Sequence, residues 1–435
     1  MTKLPALVKR FLADHRTALR ESGKSVLIVA LAISALVLAY HVGLFSGLTG
    51  LGGVLGESVR QEDIAGAAYV SAASPFTVVV TPEAGTHCAV QYDGQSLESV
   101  YARFSPSLGE ALGSSGTPTP VTEEEWYSAL AGQGVYFDYL DEQYIPVLAR
   151  WLGTDVTGGA ALHMARRFCL ARSGSGVDLY YYRTRLDAGA YKCATALSWS
   201  DLSAWVAEYI PNGAKYNFEL EDGFRQVEPC AVISDDMITL RAVSVKNSLQ
   251  TGVDDALVMS AFGMNSFLAS PYTEADGAVI WVEGNFTLRM GADGVSVFTT
   301  EGVESGDTPD AAQAIEYGRA LCAATVGADC GEAELYLSYV WHDTENGSYK
   351  LTFDYAVNGL PVSLPDGQSA AELVLTGGTV TYARMVHRKY SFADGAEHPL
   401  PSLLSAAVVQ ASGGGESVLC YVDDMTKVHA DWMIR

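Results

Sequence analysis

The side chains able to do chemistry are scattered along this sequence. Eight histidines stand at 15, 41, 87, 163, 342, 387, 398 and 429. No two share the HxH, HxxH or HxxxH spacing that sets imidazoles around one metal. No nucleophile elbow, phosphate-cradling glycine loop, dinucleotide fingerprint or calcium loop is present. Three local groupings remain. Glu123, Glu124 and Glu125 invite a catalytic reading. They follow Thr122 in the capping-box pattern, however, where acidic residues answer the positive end of a helix. His163-Met164-Ala165-Arg166-Arg167 is the concentrated basic patch beyond residue 45. It reads as a solvated helix end, whose carbonyls attract cations, rather than as an anion site. Asp423 and Asp424 could hold a divalent ion, but two adjacent carboxylates alone are a weak signal. Distant residues could still assemble a triad, which spacing does not exclude.

Seven cysteines lie at 88, 169, 193, 230, 322, 330 and 420, an odd count without zinc-type CxxC pairs. Cys322 and Cys330 are close enough to close a disulfide loop in an oxidising compartment. Isolated cysteines also serve as small buried hydrophobes. Both readings stay open.

The elements behind these groups begin with a membrane anchor. Residues 25–45, SVLIVALAISALVLAYHVGLF, carry no formal charge. Apolar on every side, and at about 1.5 Å per residue, they match a hydrocarbon core of about 30 Å. Six basic and two acidic residues precede them, and no Lys or Arg follows until Arg60. The positive-inside bias then predicts a cytoplasmic N-terminus and an extracytoplasmic remainder. A cleaved signal has a shorter apolar run and a small-residue exit, so retention is the better reading. Residues 46–435 hold 21 Lys+Arg against 49 Asp+Glu. Such a surface would repel nucleic acid and anionic headgroups, and its plain role is solubility.

The expected organisation is a basic amphipathic segment (1–24), the membrane helix (25–45), a glycine-rich linker (46–60), an N-terminal extracytoplasmic domain (61–230), a middle α+β module (231–305) and a C-terminal α+β module (306–435). Capping signals and apolar periodicity predict helices at 126–130, 201–209, 253–262, 310–326 and 400–410. In the fourth, Ile315, Leu321 and Ala324 should face inward. Alternating or β-branched runs predict strands at 77–80, 177–183, 279–282, 286–290, 295–298, 334–341, 349–357, 371–375, 379–387 and 418–422. Asp293-Gly294 is a hairpin turn signal.

The layout resembles the YycH family. The likeness rests on EEEWYSALAGQGVYFDYLDEQYIPVLARWL within 121–152, on the hairpin strands of 279–298, and on 351–390, where FDYAVNGLPV precedes a strand pair. The tail around Trp432 also fits. The resemblance implies an α+β ectodomain whose C-terminal part is similar to YycI and PepSY-like domains. It further implies no catalytic residues, no cofactor and no metal. The partners it implies are the membrane, the WalK-type sensor histidine kinase that YycH and YycI proteins regulate, and a YycI-like protein. Ala30, Ala32, Ser34, Ala35 and Ala39 offer small side chains where helices approach closely in lipid, and Ala32, Ser34, Ala35 and Ala39 are the candidate partner-binding residues. The same alanines could simply fill an anchor. The competing class is a membrane-anchored envelope hydrolase or inhibitor, its carboxylates brought together only by the fold.

Overall fold

Thr77–Glu83 shows how the first sheet is built: Val78 and Val80 enter one core while Val79 enters another, as a two-residue period requires. The computed structural model describes residues 74–435 apart from 157, 186–187, 221–223, 252–254 and 302–308. The expected membrane helix and Ala32, Ser34, Ala35 and Ala39 therefore lie outside the described residues. No described helix is long and apolar enough to cross a membrane.

The first sheet is antiparallel throughout, in the order Thr86–Gln91, Thr77–Glu83, Gly134–Tyr144, Met164–Ser173, Gly176–Arg183, Gly189–Ser198 and Thr119–Val121. Helices Gly94–Gly113, Ile145–Trp151 and Trp199–Val206 cover one face. Helix Glu123–Ala131 covers the other, together with Tyr216 and Cys230. Asp93 caps the longest of these helices by accepting a hydrogen bond from Ser96 N. Leu97, Val100, Tyr101, Phe104 and Leu108 then recur at helical spacing and are buried. Pro106 and the Ser-Pro-Ser-Leu-Gly run around it hide this helix from a propensity reading. Of the face expected at 201–209, Leu202 and Val206 are buried, whereas Trp205 is 38% exposed.

The second sheet runs Ser270–Thr273, Val279–Glu283, Phe286–Met290, Val295–Thr300, Thr379–Val386, Ala371–Thr376, Ser348–Val357, Leu360–Ser363, Ser417–Asp423 and Val428–Ile434. Ala333–Asp343 also pairs with Ser348–Val357. Val295–Thr300 lies antiparallel to Thr379–Val386, so strands from the expected middle and C-terminal modules share one sheet. Among the described residues its one parallel strand pairing, between Leu360–Ser363 and Ser417–Asp423, attaches the last hairpin. Helix Ala311–Ala324 opens with a capping box between Asp310 and Gln313 and packs Ile315 and Leu321 into the core. Ala324 faces solvent, contrary to expectation; Gly318 and Cys322 take the inward positions. The whole is α+β.

The two sheets share an extensive junction. Ile145 and Leu148 belong to the first core while Val147 packs in the second. Trp151 donates from Nε1 to Glu316, which also holds Arg319 at 2.9 Å. Phe76 meets Tyr336 edge-on at 4.9 Å, and Tyr92 meets Trp432 at 5.9 Å. The Asn358-Gly359 turn sits on the start of helix Gly94–Gly113, where Gly94 N donates to Asn358 Oδ1 at 3.3 Å.

Candidate functional site

Arg166 and Arg167 are not at a solvated helix end. They lie in the interior strand Met164–Ser173, with 8% and 3% of their surfaces exposed. That strand is buried along most of its length because both faces of the sheet are covered, so its charges must find partners or be expelled. The neighbouring strand Gly134–Tyr144 supplies one. Asp138 stands opposite Arg167, and beyond it the register shifts until Gln143 faces Ala165. At this bulge Leu140 adopts φ +67°, stabilised by its N–H donating to Asp138 Oδ1 at 2.8 Å. Bulges re-aim side chains, and here the carboxylate reaches two adjacent arginines.

The geometry is closely satisfied. Arg166 Nε donates to Asp138 Oδ1 at 2.7 Å and Nη2 to Oδ2 at 3.0 Å. Its other edge donates from Nη1 to Glu416 Oε2 at 2.6 Å and from Nη2 to Oε1. Arg167 donates from Nε to Asp138 Oδ2 at 3.2 Å and from Nη1 to Glu228 Oε1 at 2.8 Å. Arg435, in the last strand's wake, pairs with Asp141 at 3.3 Å. Burial by itself would raise the Asp138 carboxyl, but the two guanidinium groups outweigh it and hold the group well below the carboxylate range. Such a carboxylate cannot serve as a proton donor near neutrality. Burial likewise works against the charge on Arg166, and Asp138 and Glu416 restore it. The arrangement is an ionic brace joining the first sheet to residues 228 and 416.

Spacing could not have exposed this brace, since Arg166 and its partner Glu416 are 250 residues apart. The remaining groupings resolve simply. Thr122 Oγ1 accepts from Glu125 N at 3.1 Å, and Glu123, Glu124 and Glu125 occupy an exposed first helical turn. Asp423 is fully buried, accepting from Tyr390 Oη at 2.9 Å with Arg388 Nε at 3.6 Å. Asp424 instead turns outward and accepts from Thr426 N and Lys427 N at 3.0 and 2.7 Å. The pair does not converge on an ion, and among the described residues no three potential ligands do. His163 Nδ1 is 2.6 Å from Tyr181 Oη. All seven cysteines are free thiols, Cys322 and Cys330 both buried, so the second of the two open readings holds. Burial pushes the Cys193, Cys230 and Cys330 thiols up to about 11.

No protein-family model matches the sequence, and no curated protein matches it either. Among solved structures, the fold is similar to the crystal structure of YycH from Bacillus subtilis. The TM-score is 0.53, covering 84% of this chain and 95% of that one, at 9% identity. At that identity the likeness is one of fold.

Proposed function

We propose that this chain is a membrane-anchored, extracytoplasmic regulator of a two-component sensor histidine kinase, of the kind that the YycH family comprises. The observation that carries the reading is the fold likeness to YycH over 84% of this chain and 95% of that one. The sequence layout supports it independently, with a basic start, an uncharged stretch at 25–45 and an acidic remainder. In this reading the membrane helix lies against the kinase's own helices, with Ala32, Ser34, Ala35 and Ala39 at the contact. The ectodomain then biases the kinase between signalling states. A coupling of about 1–3 kcal/mol changes such a balance severalfold or more. We read the chain as non-enzymatic, and the brace gives no support to the hydrolase alternative, because Asp138, Glu228 and Glu416 are committed to arginines.

Co-purification with a histidine kinase, alongside a response-regulator reporter, tests the proposal. The full chain should associate, and residues 1–60 alone should retain part of the regulatory effect. Replacing Ala32, Ser34 and Ala35 by leucine should weaken association while leaving membrane insertion intact, because bulk prevents close approach without lowering hydrophobicity. Full activity of that variant would refute the small-residue interface. Failure of every form to associate with any kinase would refute the regulator reading.

A further inference from the structure

Beside the brace lies an open cleft of about 560 Å³, within the range of small-molecule sites. Its lining is unusual for this chain. Four of its thirteen described residues are arginines (Arg166, Arg167, Arg225 and Arg435), against two carboxylates, Glu228 and Glu416. The whole protein has only 27 Lys+Arg in 435 residues and a net charge of −24. Arg166, Arg167 and Arg435 are offset by Asp138, Glu416, Glu228 and Asp141, which leaves Arg225 as the cation of this wall without an ion pair among the described residues.

Two of these cations have donors to spare. Arg225 is exposed and makes no ion pair among the described residues. Arg167 is almost fully buried, yet its Nη2 lies 3.5 Å from Glu416 Oε1, longer than a good hydrogen bond. The Tyr182 ring sits 6.0 Å from the Arg167 guanidinium and fixes that group from the side. Glu228, which holds Arg167 Nη1, is the loosest member of the brace, with a side chain 27% exposed. An oxyanion entering between Arg225 and Arg167 would meet a planar fork suited to a carboxylate or phosphate. It would also repel Glu228 outward and take over its hydrogen bond.

We infer that the cleft beside Arg167 and Arg225 binds a small-molecule oxyanion, carboxylate or phosphate, in competition with the side chain of Glu228. This goes beyond the kinase reading and does not depend on it.

Isothermal titration calorimetry of the purified full-length chain with inorganic phosphate, pyrophosphate and citrate tests the site. Binding of the phosphates alone, or of citrate alone, supports it and identifies the oxyanion chemistry. Arg225→Ala should weaken binding by about tenfold, the scale of one charge-assisted contact. Glu228→Gln should strengthen it by removing the competing charge. Lys246→Glu alters an exposed cation outside the cleft and should leave affinity within about twofold. Absence of binding by all three probes up to about 10 mM would overturn the proposal. So would affinity that Arg225→Ala leaves unchanged, a result that stands even if Glu228→Gln fails to fold.

Discussion

Asp138 serves two guanidinium groups at once, and that demand sets the cost of replacing it. Asp138→Asn keeps the shape but removes the charge shared by Arg166 and Arg167, leaving these two buried cations only the more exposed Glu416 and Glu228. Breaking a buried pair in this way costs about 3–5 kcal/mol, to be read from urea unfolding midpoints. A loss below about 1 kcal/mol would mean that Glu228 and Glu416 suffice. The carboxyl is held below its ordinary value, so its contribution is intact above about pH 4 and fades as pH falls from there. Glu334 runs the other way. Burial, reinforced by Glu98, raises its carboxyl to about 7. The folded chain therefore keeps a proton that the unfolded chain releases near 4.5, and stability declines as pH rises from there through about 7. Glu334→Gln should remove this decline. Measured against the parent, the variant should gain stability between pH 5 and pH 8; parallel pH profiles would dismiss the effect.

Among the elements, the Asn358-Gly359 turn has a double duty, closing a hairpin and seating the start of helix Gly94–Gly113. Gly359 has φ +77°, and a Cβ there would lie 2.7 Å from Leu97 Cδ1 and 3.1 Å from the Gly94 backbone. Gly359→Ala should cost about 1–3 kcal/mol in thermal or urea unfolding, whereas Thr122→Ala, an exposed helix cap, should cost about 1 kcal/mol. Replacing Glu123, Glu124 or Glu125 singly should cost no more than the cap, and normal cellular function should persist. The contrast between turn and cap also explains what the sequence made legible. Phe286–Met290 and Asp310 announce themselves because alternation and capping are local, and both recur in the structure. Gly294, with φ +88°, marks its hairpin for the same reason. Met164–Ser173 defied the reading because a strand covered on both faces has no alternation to display. Its adjacent arginines then resembled a wet helix end. Nothing near Arg166 in the chain announces Glu416, and the candidate cleft was invisible with it.

Over the whole molecule, the two sheets are fastened by packing at helix Ile145–Trp151 and by charge at the brace. Unfolding of the full-length chain should accordingly be cooperative across the junction, with far-ultraviolet circular dichroism and tryptophan fluorescence changing together. Glu416→Gln should separate the two transitions by loosening the brace; coincident curves in the variant would show that apolar contacts alone unite the sheets. The 250-residue span from Arg166 to Glu416 carries a consequence for the order of birth. Synthesis proceeds at about 5–20 residues per second, so Glu416 arrives on the order of 10–50 s after its partner. Once Ser198 has been added, the first sheet is a nearly finished object with an open electrostatic ledger: Arg166 has Asp138, but its second carboxylate has not yet been made. The nascent protein thus passes through a timed half-assembled stage that only its final hairpin ends.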